Sequence, residues 1–263
     1  MSRRAMVVNP HEQYSNDFYE SLDSVNNNNK GKKKRKEQRQ SQNQPLRLKE
    51  ITPRTESQHK AFRYYEEEHN LILHGCAGTG KTFLSLYLGL NELFNDNIDN
   101  KHNITIFRSI VPTRDIGFLP GTEKEKAKVY EAPYSAIVND LFGRGDAYQI
   151  LKTKQLIDFE TTSFVRGMTF DDTIMIVDEC QNLTFHELDS IITRVGVNSK
   201  VIFCGDFNQS DFSGKRENSG IVDFMKILDK MKSFDHVEFK KGDIVRSGLV
   251  KDYICTKIDQ GFE

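Results

Sequence analysis

A short apolar run that empties directly into a glycine-rich turn, and from there into a helical pattern, constrains this chain more than any other feature. The string is Leu71-Ile-Leu-His-Gly75-Cys-Ala-Gly78-Thr-Gly80-Lys81-Thr82, of the form GxxxxGK[ST] between a strand pattern and a helix pattern. That context separates a phosphate-binding loop from a chance match. Glycines at 75, 78 and 80 let the backbone wrap tightly, so that successive N–H groups face phosphate oxygens and the helix N-terminus adds positive potential. Lys81 would neutralise β- and γ-phosphate oxygens, and the Thr82 hydroxyl would give Mg²⁺ one of its oxygen ligands. The expected nucleotide contacts are Gly75, Cys76, Ala77, Gly78, Thr79, Gly80, Lys81, Thr82 and Phe83, with ATP and Mg²⁺ as the ligands.

Around this loop, short apolar runs alternate with amphipathic segments, the pattern of an α/β protein with a mostly parallel sheet flanked by helices. Buried strands are expected at 71–74, 104–107, 174–177, 201–204 and, more weakly patterned, 236–239. Helices are expected at 57–67, 82–94, 132–142, 185–194 and 221–231, and Thr184 and Glu187 have capping-box spacing at the start of the fourth. The third strand delivers Asp178 and Glu179 at its C-terminal end, the edge where open α/β sheets bind ligands. Asp178 suits the coordination sphere of Mg²⁺, and Glu179 suits a general base that orients water toward the γ-phosphate. The fourth strand runs into Gly205-Asp-Phe-Asn-Gln209, where the Gln209 amide is placed to sense the γ-phosphate.

The first fifty residues read differently. They hold an Asn run, a basic run and a Gln/Ser stretch almost without apolar residues, which cannot bury enough surface to offset their ordering entropy. Between Lys30 and Arg39 seven basic residues stand against Glu37, a local charge of +6. Over the whole chain 37 Lys and Arg meet 38 Asp and Glu, so affinity for nucleic acid would have to come from such a patch and be salt-sensitive. The expected division is a disordered basic tail at 1–50 and one domain at 51–263. No apolar run reaches membrane-spanning or signal-peptide length, and Cys76, Cys180, Cys204 and Cys255 are scattered without metal-ligand spacing. The chain therefore reads as soluble and cytoplasmic, with its thiols outside any disulfide and no membrane partner.

In this order the three strings resemble the RecA-like core of superfamily 1 helicases, whose motifs are GxAGTGKT, DExQ and GDxxQ. Ile116-Gly-Phe-Leu-Pro-Gly121, Tyr134-Ser-Ala-Ile-Val-Asn-Asp-Leu141, Phe164-Val-Arg166-Gly167, Val177-Asp-Glu-Cys-Gln-Asn182 and Asp243-Ile-Val-Arg246 narrow the resemblance to the PhoH family of P-loop ATPases, over residues 56–253. Cys76 stands where that family usually has Pro, Cys180 for Ala, Met168 for a polar or basic residue and Ser247 for His. No PIN-like nuclease segment precedes the core, so the nuclease activity of fused family members is not expected. The Asn-rich tail and small size suit a phage-encoded member.

The resemblance implies a Mg-dependent ATPase working as a homo-oligomeric ring, a hexamer, coupled to RNA or single-stranded nucleic acid. About 210 residues hold one RecA-like lobe, whereas two-lobed helicases complete the site with arginines of a second. An arginine finger is therefore expected from a neighbouring subunit, with Arg246 as first candidate and Arg108, Arg114 and Arg166 as alternatives. Gln58 stands upstream of the loop as does the adenine-reading glutamine of helicase-like ATPases, and its amide offers a donor and an acceptor to the base edge. Two other readings compete: a nucleotide-dependent switch that binds a partner without motor activity, and a small-molecule kinase. Glu179 and Gln209 favour water as acceptor over the kinase reading.

Overall fold

The computed structural model describes residues 45–95, 103–109, 123–162, 165, 167–206 and 220–261. The basic tail, Arg114, Arg166 and Gln209 lie outside them. Residues Arg47–Glu263 form one compact unit. Its elements run α1 (Glu56–Glu66), β1 (Asn70–Gly75), α2 (Lys81–Asn95), β2 (Asn103–Arg108), α3 (Glu123–Phe142), α4 (Ala147–Thr153), β3 (Ile157–Thr161), β4 (Thr173–Val177), α5 (Phe185–Ile192), β5 (Lys200–Gly205), α6 (Ile221–Leu228), β6 (Phe234–Phe239) and α7 (Gly248–Asp259).

The six strands form one sheet in the order β3-β2-β4-β5-β1-β6, every neighbouring pair parallel. Parallel strands need helical crossovers, so both faces of the sheet are covered and the strands are apolar on both sides. The alternation is visible in β1. Leu71 and Leu73 enter a cluster with Ala61 and Tyr65 of α1 and Leu84 and Leu88 of α2. Ile72 points the other way, into a cluster that holds Leu188 and Ile191 of α5 and Phe224 and Leu228 of α6. This is the RecA-like α/β architecture that the motif order implied.

All five expected strands are present, and the structure adds β3, whose run Ile157-Asp-Phe-Glu-Thr is too polar to announce itself. As the outer neighbour of β2, β3 exposes one side to solvent, which is why Asp158 is tolerated there. Helix α3 begins at Glu123, well before the expected start at 132, and carries Pro133 in its interior. Proline withdraws one backbone bond without ending the helix, because Tyr134, Val138 and Leu141 bury its far side completely. Helices α4 and α7 were not expected either. The capping box formed by Thr184 and Glu187 is present at the start of α5, with Glu187 accepting from the Thr184 backbone N–H at 2.9 Å.

Candidate nucleotide site

Strands β1, β4 and β5 end at the same level, with His74 opposite Gly205 and Val177 opposite Phe203. The loops that follow them, together with α1 and the segment before α7, enclose a cavity of about 580 Å³. A nucleoside triphosphate falls within the range that cavities of this size accommodate.

The glycine-rich loop is shaped by close approach. Gly75 has φ +107°, and a Cβ there would stand 2.2 Å from the carbonyl oxygen of Phe239 on β6. That oxygen accepts the Cys76 N–H at 2.9 Å, which pins the loop's first turn to the neighbouring strand. Gly78 and Gly80 also take positive φ. Thr79 is buried, and its hydroxyl donates to the Cys76 carbonyl at 2.9 Å. Ala77, Gly78, Gly80, Lys81, Thr82 and Phe83 line the cavity, while Gly75, Cys76 and Thr79 build the back of the loop. The Lys81 ammonium donates to the carbonyls of Gly75 and Cys76 at 2.6 and 2.8 Å. It is held by the loop's own acceptors, from which phosphate oxygens would draw it.

Opposite the loop, the Asp178 carboxylate is buried at the end of β4. Its Oδ1 accepts from the Thr82 hydroxyl at 2.9 Å and its Oδ2 from the Tyr134 hydroxyl at 2.8 Å. Burial and the neighbouring Glu179 push its pKa up, against the two hydroxyl bonds and Arg108. A hard divalent cation suits this place: a hydroxyl and a buried carboxylate touch, all the donors are oxygens, and the cation would relieve the cost of the buried charge. Among the described residues no cluster of three or more His, Cys, Asp or Glu could hold a metal unaided. Phosphate and water oxygens would complete a Mg²⁺ shell here.

Glu179 adopts a left-handed backbone, φ 52° and ψ 40°, at the head of the 3₁₀ turn Cys180–Asn182. Such a conformation is uncommon for a residue with a Cβ and here turns the side chain into the cavity wall. Gln181 is buried behind it. Its amide donates to Glu179 Oε2 at 2.6 Å and accepts the Asp206 N–H at 3.1 Å, so the base candidate is linked to the end of β5. Sequence reasoning placed Gln181 inside a motif without giving it this task.

Gln58 does reach the cavity, from the first turn of α1. Its Oε1 accepts the Arg54 N–H at 2.8 Å, and its Nε2 lies 3.4 Å from the Thr79 carbonyl. Ile51 and Phe62 add apolar wall beside it, suited to the face of a base.

Two of the candidate arginines, Arg246 and Arg108, are among the described residues. Arg246, expected at a neighbouring subunit's site, covers the loop of its own chain: its Cγ is 3.0 Å from where a Gly78 Cβ would stand. The cause is backbone pairing, since the Val245 N–H donates to the Gly78 carbonyl at 3.2 Å and draws the segment over the loop. Arg108 also lines the same chain's cavity, from the end of β2. Burial works against its charge, yet Tyr134, Glu179 and Asp178 together raise its pKa.

A phosphate loop and an acidic strand end, facing each other across the C-terminal edge of a RecA-like sheet, define a P-loop protein of the ATPase class. The chain belongs to the PhoH family: the model of that family, described as PhoH-like protein, matches residues 50–257. It is 33% identical to a PhoH-like protein of Bacillus subtilis over 68% of this chain and 55% of the relative. It is 36% identical to the PhoH2 protein of the same organism over 69% and 41%, and 30% identical to the PhoH protein of Escherichia coli K12 over 76% and 56%. The chain thus spans about half the length of these relatives. Among solved structures it is similar to the large terminase of a thermophilic bacteriophage in complex with ADP, with TM-score 0.44, 14% identity and coverage of 76% of this chain and 49% of that one.

Proposed function

We propose that the protein hydrolyses ATP with Mg²⁺ in this cavity, as a ring oligomer coupled to RNA or single-stranded nucleic acid. The observation that carries the chemical part is the 2.9 Å bond between the Thr82 hydroxyl and Asp178, which joins the phosphate loop to the acidic strand end where the cation belongs. In this reading Lys81 leaves the loop carbonyls for the β- and γ-phosphates, and Thr82 and Asp178 hold the cation. Glu179, steadied by Gln181, orients the attacking water. Gln58, beside Ile51 and Phe62, meets the adenine edge. The cation would supply charge neutralisation across the phosphates. Gln209 keeps the role of γ-phosphate sensor that the motif order gives it.

Support for assembly comes from α7, which buries none of its residues and leaves Leu249 and Tyr253 exposed at 83% and 67%. Four cysteines outside any disulfide are compatible with a reducing cytoplasm. Among the described residues no helix is long and apolar enough to cross a membrane.

The test is a steady-state ATPase assay on wild type and Glu179→Gln, with nucleotide binding measured on both. Retained binding with turnover lower by about three orders of magnitude or more is expected from loss of a water-positioning carboxylate. Equal rates would remove Glu179 from the mechanism, and hydrolysis in neither protein would favour the switch reading.

A further inference from the structure

One side chain that none of the motif roles includes touches the centre of the site. Tyr134 projects from α3, is fully buried, and donates its hydroxyl to Asp178 Oδ2 at 2.8 Å. The other oxygen of that carboxylate accepts from Thr82 at 2.9 Å. A donor on each oxygen fixes the rotation of the carboxylate, and the Asp178 N–H, bonded to the Phe107 carbonyl at 2.9 Å, fixes its backbone. The Arg108 guanidinium stands near the same phenol and the same carboxylate, and its charge acts on both. The ring has a separate task, packing against Phe159 with centroids 5.7 Å apart. Removing the oxygen alone would leave that packing in place.

We propose that Tyr134 is a positioning residue for the divalent cation: its hydroxyl holds the Asp178 carboxylate turned toward Thr82, so that a cation arriving with the nucleotide phosphates meets an oriented oxygen. The inference rests on the nucleotide reading of the cavity and adds to it a determinant of metal affinity. Hydrogen-bonding partners behind a metal ligand typically change metal affinity 10- to 100-fold.

The test uses the full chain, wild type and Tyr134→Phe. ADP affinity is measured in EDTA, and Mn²⁺ affinity is then read from the free-ion electron paramagnetic resonance signal in the presence of saturating ADP. About 10-fold weaker Mn²⁺ binding is expected, with unchanged metal-free ADP affinity and an unchanged melting temperature. Equal Mn²⁺ affinities in the two proteins would overturn the inference and leave the nucleotide reading standing. So would a variant that melts early or loses metal-free ADP binding, since the hydroxyl would then be structural. A wild-type protein that binds no ADP would overturn the nucleotide reading itself, and this inference with it.

Discussion

Gly75 shows how closely the phosphate loop depends on a single backbone position. Its φ of +107° is a region that L-residues rarely enter, and the Phe239 carbonyl fills the space a Cβ would need. Gly75→Ala is therefore expected to cost about 1–3 kcal/mol in backbone strain, with the 2.2 Å clash added to it. Because the clash is with the oxygen that pins Cys76, the variant should also lose nucleotide affinity. Thermal unfolding and titration with a fluorescent ADP analogue would check both effects; full stability with normal affinity would mean that the loop shifts freely. Lys81→Ala belongs to the same scale, but its consequence differs. Its ammonium makes two bonds to loop carbonyls, which water can replace, so nucleotide affinity should fall steeply with little change in melting temperature. At this scale the sequence was most informative about Lys81, Thr82, Asp178 and Glu179, whose types and spacing fit the proposed chemistry. It carried no sign of the bond Tyr134 makes, because nothing in the chain between 134 and 178 links a helix tyrosine to a strand-end carboxylate.

Between elements, the site depends on a junction that lies outside the motifs. Asp243 accepts from the Ser57 hydroxyl at 2.9 Å and from the Lys240 N–H at 2.8 Å, which fastens the turn Lys241–Asp243 to the start of α1. Gln58 and Arg246 flank that junction, and both line the cavity. Burial opposes the Asp243 charge, but bonds from Thr55, Lys240 and Ser57 lower its pKa overall. A carboxylate depressed on folding contributes stability above its ordinary range, and loses that contribution as pH falls through its folded value. Asp243→Asn should accordingly cost about 1 kcal/mol at pH 7 and much less in strong acid, well below the ordinary carboxylate range, measured by urea unfolding at both pH values. An equal loss at both pH values would assign the effect to packing. Periodicity located the strands and the main helices, whereas α7 and β3 escaped it. Neither has a continuous apolar face, and β3 is defined by its pairing with β2.

For the molecule as a whole, the proposed arginine finger separates two arrangements. Arg246 covers its own chain's loop, and Arg108 lines the cavity from its own chain's sheet. If Arg246 acts within its own chain, mixing Arg246→Ala with Lys81→Ala protein should restore no ATPase activity beyond the sum of the two. Recovery in the mixed oligomer would place the arginine at the neighbouring site. The same samples carry the wider question. Oligomeric mass, recorded together with ATPase rates at fixed low salt with single-stranded RNA, single-stranded DNA and duplex DNA, should show a ring-sized particle stimulated by one single-stranded polymer. An unstimulated monomer would favour the nucleotide switch. Salt must be held constant because any contribution from the basic segment at 30–39 weakens as ions compete.

The sequence alone determined the sheet class, the phosphate loop and the acidic strand end, because each is a local pattern: a period of two or of 3.6, or a fixed spacing in which adjacent residues share one ligand. Tertiary structure decided the rest. Strand order brings Asp178 to Thr82 across 96 positions and Asp243 to Ser57 across 186. It also turns Arg246 back onto its own loop through one backbone bond. Such pairings are set by which faces must be buried together, and no local window of the chain contains that information.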